Sequence, residues 1–529
     1  MKLSQKRTLI LILLLLPFYT SLKGCEHYES LPKQLAISDT SDVYTPDSIT
    51  VAAGPHYKRG GLHNLFFGKH YRPLWAEPVK MPVFDIGEMG DSLYAVKRGG
   101  GQQTMNIRLK DKNKRQYVLR SVDKDQVYVV PENYRLGLVK FFLRDQASAM
   151  NPYAALVVPP LADAAGILHA NPKLFYVPYD ERFGEFADLV ANRVMMFEEF
   201  PNKHWAGTSF FGNADKLVKT TKFLKRRYKK QDVVVDEKAF ARARLFDVWI
   251  GDWDRHRNQW RWAEYRQDDK RIYKPIPRDR DIVFYRFNDG LLTYIASRWF
   301  IMPKLHSFEH HYGSIKNMMI NSKYTDNLLL SSLVKEDWIE IAKDLQENLT
   351  DEAIEHAIKQ WPPEVFKHEG EATIEKLKNR REFLVEAAEE FYIQLNKEVT
   401  LIGTDKEERF YVNRIDHKHT EVIITNADSS EVFFHRTFDN KITKTICLHG
   451  LEGDDYFLVT GEASRSPFVN IYGGKGEDTI IDRSNVKGLR RHTTVYDTRE
   501  GNHVEFGRET KDRRSNDPSI LDIDREGWN

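Results

Sequence analysis

Between Ile250 and Trp260 the chain reads IGDWDRHRNQW. Two Asp, two Arg, a His, an Asn and a Gln stand there between apolar anchors. A protein interior accepts such polar crowding only where the groups are paired or do chemistry. The segment before it, Asp236 to Ile250, carries apolar residues at helical spacing, with Asp236 placed as an N-cap. Further on comes PRDRDIVF, Pro277 to Phe284. The fold must therefore set a helix end against loops rich in both charges. Asp252, Asp254, Arg255, Arg278, Asp279, Arg280 and Asp281 could close into a buried salt-bridge cluster. The alternative is a site that holds a ligand and a metal ion.

With 529 residues the chain is too long for one ordinary domain. Its net charge of +2 gives no electrostatic reason to expect a nucleic-acid partner. Residues 1–24 read as a signal peptide. Lys2, Lys6 and Arg7 precede LILILLLLP, an apolar run too short to span a bilayer as a mature helix. LKGC, Leu22 to Cys25, resembles a bacterial lipobox. That implies lipid on Cys25 and an exported protein anchored in the outer membrane or facing the periplasm. Plain signal cleavage nearby is the alternative. The only other cysteine is Cys447, so a lipidated Cys25 leaves no disulfide framework.

Residues 25–88 show scattered Pro and Gly and little periodicity, and read as a tether and lead-in. From Leu93 the pattern is strand, glycine turn at Gly99-Gly100-Gly101, strand, polar turn, and a third strand that ends in YVLRSVDK. Helices are expected over 134–150 and 152–165, with short strands at Leu174 to Val177 and Arg193 to Phe197. Beyond Pro201 helices dominate, including 337–347, 351–360 and 372–395. After Val399, RFYVNRI, EVIITNA, EVFFHRTF and DYFLVTG read as strands. The expected class is α+β: a two-lobed domain, sheet-rich over 89–200 and helical over 201–399. An all-β domain over 400–510 and a polar tail over 511–529 follow.

Phosphoryl transfer from a nucleotide needs a close-lying backbone loop, a cation for the phosphates, an Asp for the acceptor hydroxyl, and oxygen ligands for metal. DRHRNQ followed by PRDRD-x-x-F resembles the catalytic and metal-binding loops of atypical protein-kinase-like folds. These are the spore-coat CotH type, the HipA type and the secreted-pathway kinases, and the resemblance covers roughly residues 90 to 398. The chain is also similar to kinase-like segments of exported proteins from Bacteroidetes-type bacteria, which in longer relatives can accompany an outer-membrane barrel.

The resemblance implies Asp254 as the catalytic Asp, with Arg255 and His256 bracing its loop. It implies metal ligation by Gln259, where Asn is usual and Asn258 lies one residue earlier, and by Asp279 or Asp281. Gly99, Gly100 and Gly101 would approach the phosphates. Arg120 would clamp them in place of the usual Lys, with Lys124 as the alternative and Glu132 or Asp145 as the cation's acidic partner. RVMMFEE, ending at Glu198 and Glu199, resembles a hinge that would hold an adenine. The implied cofactors are ATP with Mg²⁺ or Mn²⁺. The implied partners are the nucleotide, an acceptor protein, glycan or small molecule of the envelope, and an outer-membrane barrel protein. The competing reading is a non-catalytic kinase-like lipoprotein scaffold for outer-membrane assembly or partner binding.

Other motifs carry less. GDWD and Gly501-Asn502-His503 echo calcineurin-type metallophosphatases, but the spacing is GDxD rather than GDxxD and no early Asp-x-His precedes it. GGKGEDTII, Gly473 to Ile481, fits the calcium-binding nonapeptide of β-rolls, with a weaker echo in GDDYF at Gly453 to Phe457. Calcium at Asp478 is one reading; tight turns of a β-solenoid or sandwich are the other. Trp249, Trp253, Trp260 and Trp262 read as core packing. Glu309-His310-His311 is set aside as a metal site, because adjacent His rarely face one ion.

Overall fold

Alternation along NIRLK, QYVLRS and RVMMFEEF builds the first sheet, since successive strand residues point to opposite faces. The computed structural model describes residues 32–33, 47–89, 92–99, 103–129, 131–135, 137–298, 303–428, 431–517, 519 and 523–525. Its architecture is mixed α/β with several sheets. The first sheet is antiparallel throughout, in the order Tyr94–Arg98, Asn106–Lys110, Gln116–Ser121, Arg193–Phe200, Lys173–Val177. Ile107, Leu109, Leu119, Met195 and Phe197 pack on one face with Phe84, Phe175 and Val177. The register puts Arg108 and Glu198 opposite Val118, and Arg120 opposite Met196. Arg108, Arg120, Glu198 and Phe200 therefore share the other face.

Residues 47–89 are structured where an irregular segment was expected. Ser48–Ala52 pairs antiparallel with Pro78–Pro82, and helices Gly61–Phe67 and Arg72–Ala76 lie between them. Val51, Ala53 and Trp75 from this stretch are fully buried in the largest core. The Pro and Gly residues here punctuate short elements. Two helices also differ from expectation. The one expected over 134–150 is Gly137–Asp145 followed by a 3₁₀ turn. The one expected over 372–395 is two helices, Pro363–Glu382 and Leu384–Asn396, which meet at Phe383.

A second sheet has the order Lys216–Lys219, Trp260–Gln267, Lys270–Pro277, Val233–Val235. Helix Glu237–Ile250 packs on it and against helices Lys335–Asn348 and Leu384–Asn396. The Asp236 carboxylate caps this helix by accepting the Ala239 N–H at 2.9 Å. Gly251 stops it in the left-handed region, φ +76°. Trp249, Trp260 and Trp262 are fully buried and Trp253 nearly so, as core packing requires.

From Glu398 onward the described elements are all strands. The chain alternates between two sheets. One is parallel: Glu398–Ile402, Thr445–Glu452, Phe468–Lys475, Thr493–Tyr496, Thr510–Asp512. In the other, Glu408–Arg414, Tyr456–Ala463, Thr479–Asp482 and His503–Glu505 are parallel, and the hairpin His419–Asn426 with Val432–Asp439 extends the edge. This is a parallel solenoid with one hairpin inserted in its first coil. Its core, including Phe410, Phe457, Ile480 and Ile446, is separate from the largest core.

Candidate functional site

The polar face of the first sheet meets the two loops that leave helix Glu237–Ile250 and strand Lys270–Pro277. The deepest layer is a network of buried charges. Arg255, at 0% exposure, donates from Nη1 to Asp252 Oδ2 at 3.1 Å and to the Arg278 carbonyl at 2.8 Å. Its Nη2 donates to the Gln259 carbonyl at 3.0 Å, and its guanidinium stacks over the Trp260 ring. One side chain thus ties the first loop to the second. Asp247, on the helix, takes Arg244 at 2.9 Å and Arg280 at 2.8 Å. Arg244 reaches on to Asp326 at 2.9 Å. Burial raises the Asp252 carboxyl to about 6, although Arg255 pulls it down.

Above this layer, residues from four stretches converge. Arg120 Nη2 contacts Glu198 Oε1 at 3.0 Å, while Nη1 pairs with Asp279 Oδ1 and lies 4.0 Å from Asp281 Oδ2. Lys124 Nζ contacts Asp281 Oδ2 at 2.7 Å. Gln259 Nε2 donates to Asp279 Oδ2 at 3.2 Å. Asp279 holds φ +60°, uncommon for a residue with a Cβ and the kind of strain that collects at functional sites. Arg108, Arg261 and Arg278 surround the Phe200 ring at 3.5, 5.1 and 4.2 Å. Burial first, and for Arg108 and Arg278 neighbouring guanidinium groups next, lowers all three; Arg108 and Arg261 fall to about 10.

Asp254 is half-buried and has other partners. Its Oδ1 accepts Asn321 Nδ2 at 2.7 Å, and Lys304 Nζ donates to Asn321 Oδ1 at 3.3 Å while lying over the Trp253 ring. His256 Nδ1 accepts the Asn258 N–H at 3.2 Å, and burial holds the imidazole below its ordinary value. Asn258 is exposed.

The sequence had offered Glu132 or Asp145 as the partner of the phosphate-clamping cation. Glu132 is exposed, and Asp145 is bound by Arg72 at 2.6 and 2.8 Å. Arg120 pairs instead with Glu198, which strand register sets diagonal to it on one face. Its carboxylate is thereby turned to a cation of the sheet, where an adenine contact was expected. Gly99 donates its N–H to the Asn106 carbonyl at 2.8 Å. Gly100, Gly101 and Cys25 lie outside the described residues. Sequence reasoning missed Asp247, Arg244, Asp326, Arg108, Arg261, Asn321 and Lys304. Only the last two adjoin Asp254, and they come from segments with no motif.

Among the described residues, no three His, Cys, Asp or Glu side chains gather to hold a metal ion as they stand. Here the reason is plain: Asp279 and Asp281 are turned onto Arg120 and Lys124. The two cavities beside these residues measure about 20 Å³ each. A larger cavity, about 560 Å³, lies between the second sheet and the solenoid, lined by Arg227, Glu237, Leu333, Leu401 and Phe433 among others. On its rim Lys270 and Glu431 pair at 2.7 Å. No helix among the described residues is long and apolar enough to cross a membrane. Comparison with models of known protein families gives no match, and comparison with curated proteins gives none either.

Proposed function

We propose that the chain is a kinase-like, ATP- and metal-dependent phosphotransferase, with its cleft between the polar face of the first sheet and the loops at 252–259 and 277–284. One observation carries this reading: Arg120 and Lys124, Glu198, Gln259, and Asp279 and Asp281 come from four stretches and meet in one place. Arg120 and Lys124 would hold phosphates, and Arg108, Arg261 and Arg278 add the positive field that a triphosphate tail needs. Asp279, Asp281 and the Gln259 amide are hard oxygen donors of the kind that suit Mg²⁺ or Mn²⁺, which when bound would neutralise phosphate charge. Asp254 would orient the acceptor hydroxyl and accept its proton, with Asn321 and Lys304 fixing its carboxylate. Arg255 would keep the two loops in register. The acceptor belongs to the envelope in this proposal. Export, lipid on Cys25 and an outer-membrane barrel partner rest on the leader and LKGC.

A specific observation favours a second reading. Arg120 contacts Glu198, Asp279 and Asp281 at once, and Lys124 closes Asp281, in a cleft with about 20 Å³ of space on either side. A non-catalytic kinase-like scaffold would be closed in this way. Incubation of the full chain with γ-labelled ATP and Mn²⁺ separates the two. Release or transfer of label that Asp254→Ala lowers by about 10²-fold or more supports the phosphotransferase. No nucleotide binding and no turnover, even beside an envelope extract, selects the scaffold.

A further inference from the structure

The solenoid corner repeats a nine-residue pattern that the inserted hairpin conceals. IGTDKEERF, HGLEGDDYF, YGGKGEDTI and YDTREGNHV start at Ile402, His449, Tyr472 and Tyr496, which stand in register on neighbouring strands. Their last residues, Phe410, Phe457, Ile480 and Val504, are also in register on the opposite sheet. The second position is Gly403, Gly450, Gly473 and then Asp497. The seventh is Glu408, Asp455, Asp478 and then Asn502.

The seventh positions form a ladder. Asp455 Oδ1 accepts the Glu408 N–H at 2.7 Å, Asp478 Oδ1 accepts the Asp455 N–H at 2.8 Å, and Asn502 Oδ1 accepts the Asp478 N–H at 2.6 Å. Each coil thus spends one side-chain oxygen on the coil before it, from Asp455, Asp478 and then the Asn502 amide, while Asp497 Oδ1 accepts the Thr498 N–H at 2.6 Å. Asp455, Asp478 and Asp497 are 1%, 0% and 0% exposed, and the Oδ2 of each has no hydrogen-bond partner. A Cβ on Gly450 would collide with Asp455 Oδ2 and the Gly473 carbonyl oxygen. One on Gly473 would collide with the Oδ2 atoms of both Asp478 and Asp497. Oxygen therefore faces oxygen across each glycine. The first coil differs, because Glu408 is already bonded to Thr404 and Gln231.

Buried carboxylates are stable only when paired, protonated or bound to metal. Among the described residues no cation forms an ion pair with these three, and burial raises them to about 10, 7 and 6, although Arg514 pulls Asp497 the other way. We propose that the row formed by Asp455, Asp478 and Asp497, with the carbonyl oxygens of Gly450 and Gly473, binds a hard divalent cation between adjacent coils. The donors are all oxygen, and two of the five groups are fixed backbone carbonyls. Calcium accepts such irregular sets at six to eight ligands, whereas magnesium demands a near-ideal octahedron. The acids stand in a row rather than around a point, so carbonyl oxygens must complete the shell.

The test uses the full chain, titrated with CaCl₂ by calorimetry and followed by thermal unfolding, beside MgCl₂ and a chelator. Calcium at a hundred times its Kd is expected to raise the folded-to-unfolded ratio of the solenoid about a hundredfold, read as a rise in its midpoint. Asp478→Asn keeps the Oδ1 acceptor and removes the charge, and Asp497→Asn does likewise; both are expected to lose the response. Asp281→Ala, in the cleft, is expected to keep it. Absence of calcium heat and of any midpoint shift in the unsubstituted chain overturns the proposal. So does a response that both Asn variants retain, or a row that gains stability only on acidification.

Discussion

Lys124 Nζ lies 2.7 Å from Asp281 Oδ2, so the cation beyond the third strand and the second acid of PRDRD neutralise each other across the cleft. Burial alone would raise the Asp281 carboxyl, yet Lys124 and then Arg120 hold it below its ordinary value. A depressed carboxyl stabilises the fold above its unfolded pKa and loses that contribution as pH falls through the folded value. Lys124→Met removes the nearer partner. The fold is expected to lose about 1–3 kcal/mol near neutral pH and to become less sensitive to acid. Manganese should bind Asp281 more tightly in this variant, as calorimetry with the metal alone would show. A variant that loses stability and gains no metal affinity speaks for a closed structural cluster.

Arg255 holds the two loops together from a position with no solvent contact. Arg255→Met would leave Asp252 buried beside Asp247 without its cation. Removal of one partner of a buried ion pair costs about 3–5 kcal/mol. Urea unfolding should report a loss of that size, and an unchanged midpoint would contradict the bracing role.

Gly251 ends the central helix at φ +76°, and a Cβ there would sit 3.2 Å from Phe308 Cδ2. Gly251→Ala is expected to cost about 1–2 kcal/mol from backbone handedness alone. The loop that begins at Asp252 must shift with it, so nucleotide affinity should fall in the same variant while the solenoid's unfolding midpoint stays fixed.

How far the sequence discloses this depends on whether a feature is local. Alternation in NIRLK and QYVLRS reveals the strands, and the Asp236 cap and Gly251 stop reveal the helix between them. The choice of Glu198 over Asp145 for Arg120 depends on strand register, which no single segment carries. Arg108, Arg261 and Arg278 gather only because two sheets meet at Phe200. Two coils of the solenoid repeat, at GDDYF and GGKGEDTII, are legible in the sequence; the first is not, because the hairpin at 419–439 separates it from the second, and the fourth carries Asp497 and Asn502 where the others have Gly and an acid.

Glu237 borders the cavity of about 560 Å³, where burial pushes its carboxyl up to about 7 despite the Ser332 N–H at 3.1 Å. Arg436 and Arg227 face it and pull the other way. A raised carboxyl makes the folded state hold the proton more tightly. Its contribution is full below the unfolded value near 4.5 and is lost as pH rises through about 7. Glu237→Gln should remove that part of the pH dependence, measured as thermal midpoints across this range. A slope unchanged by the substitution would assign it to other groups.

Calorimetric titration of the full chain with ATP and Mn²⁺, beside Asp254→Ala and Asp281→Ala, decides whether the charged cleft is a nucleotide site. Metal-dependent binding that Asp281→Ala abolishes and Asp254→Ala retains is the expected result, since Asp281 would hold metal and Asp254 would serve the acceptor. Failure of the unsubstituted chain to bind any nucleotide with either metal would contradict it and leave Arg120, Lys124, Asp279 and Asp281 as a closed ion-pair cluster.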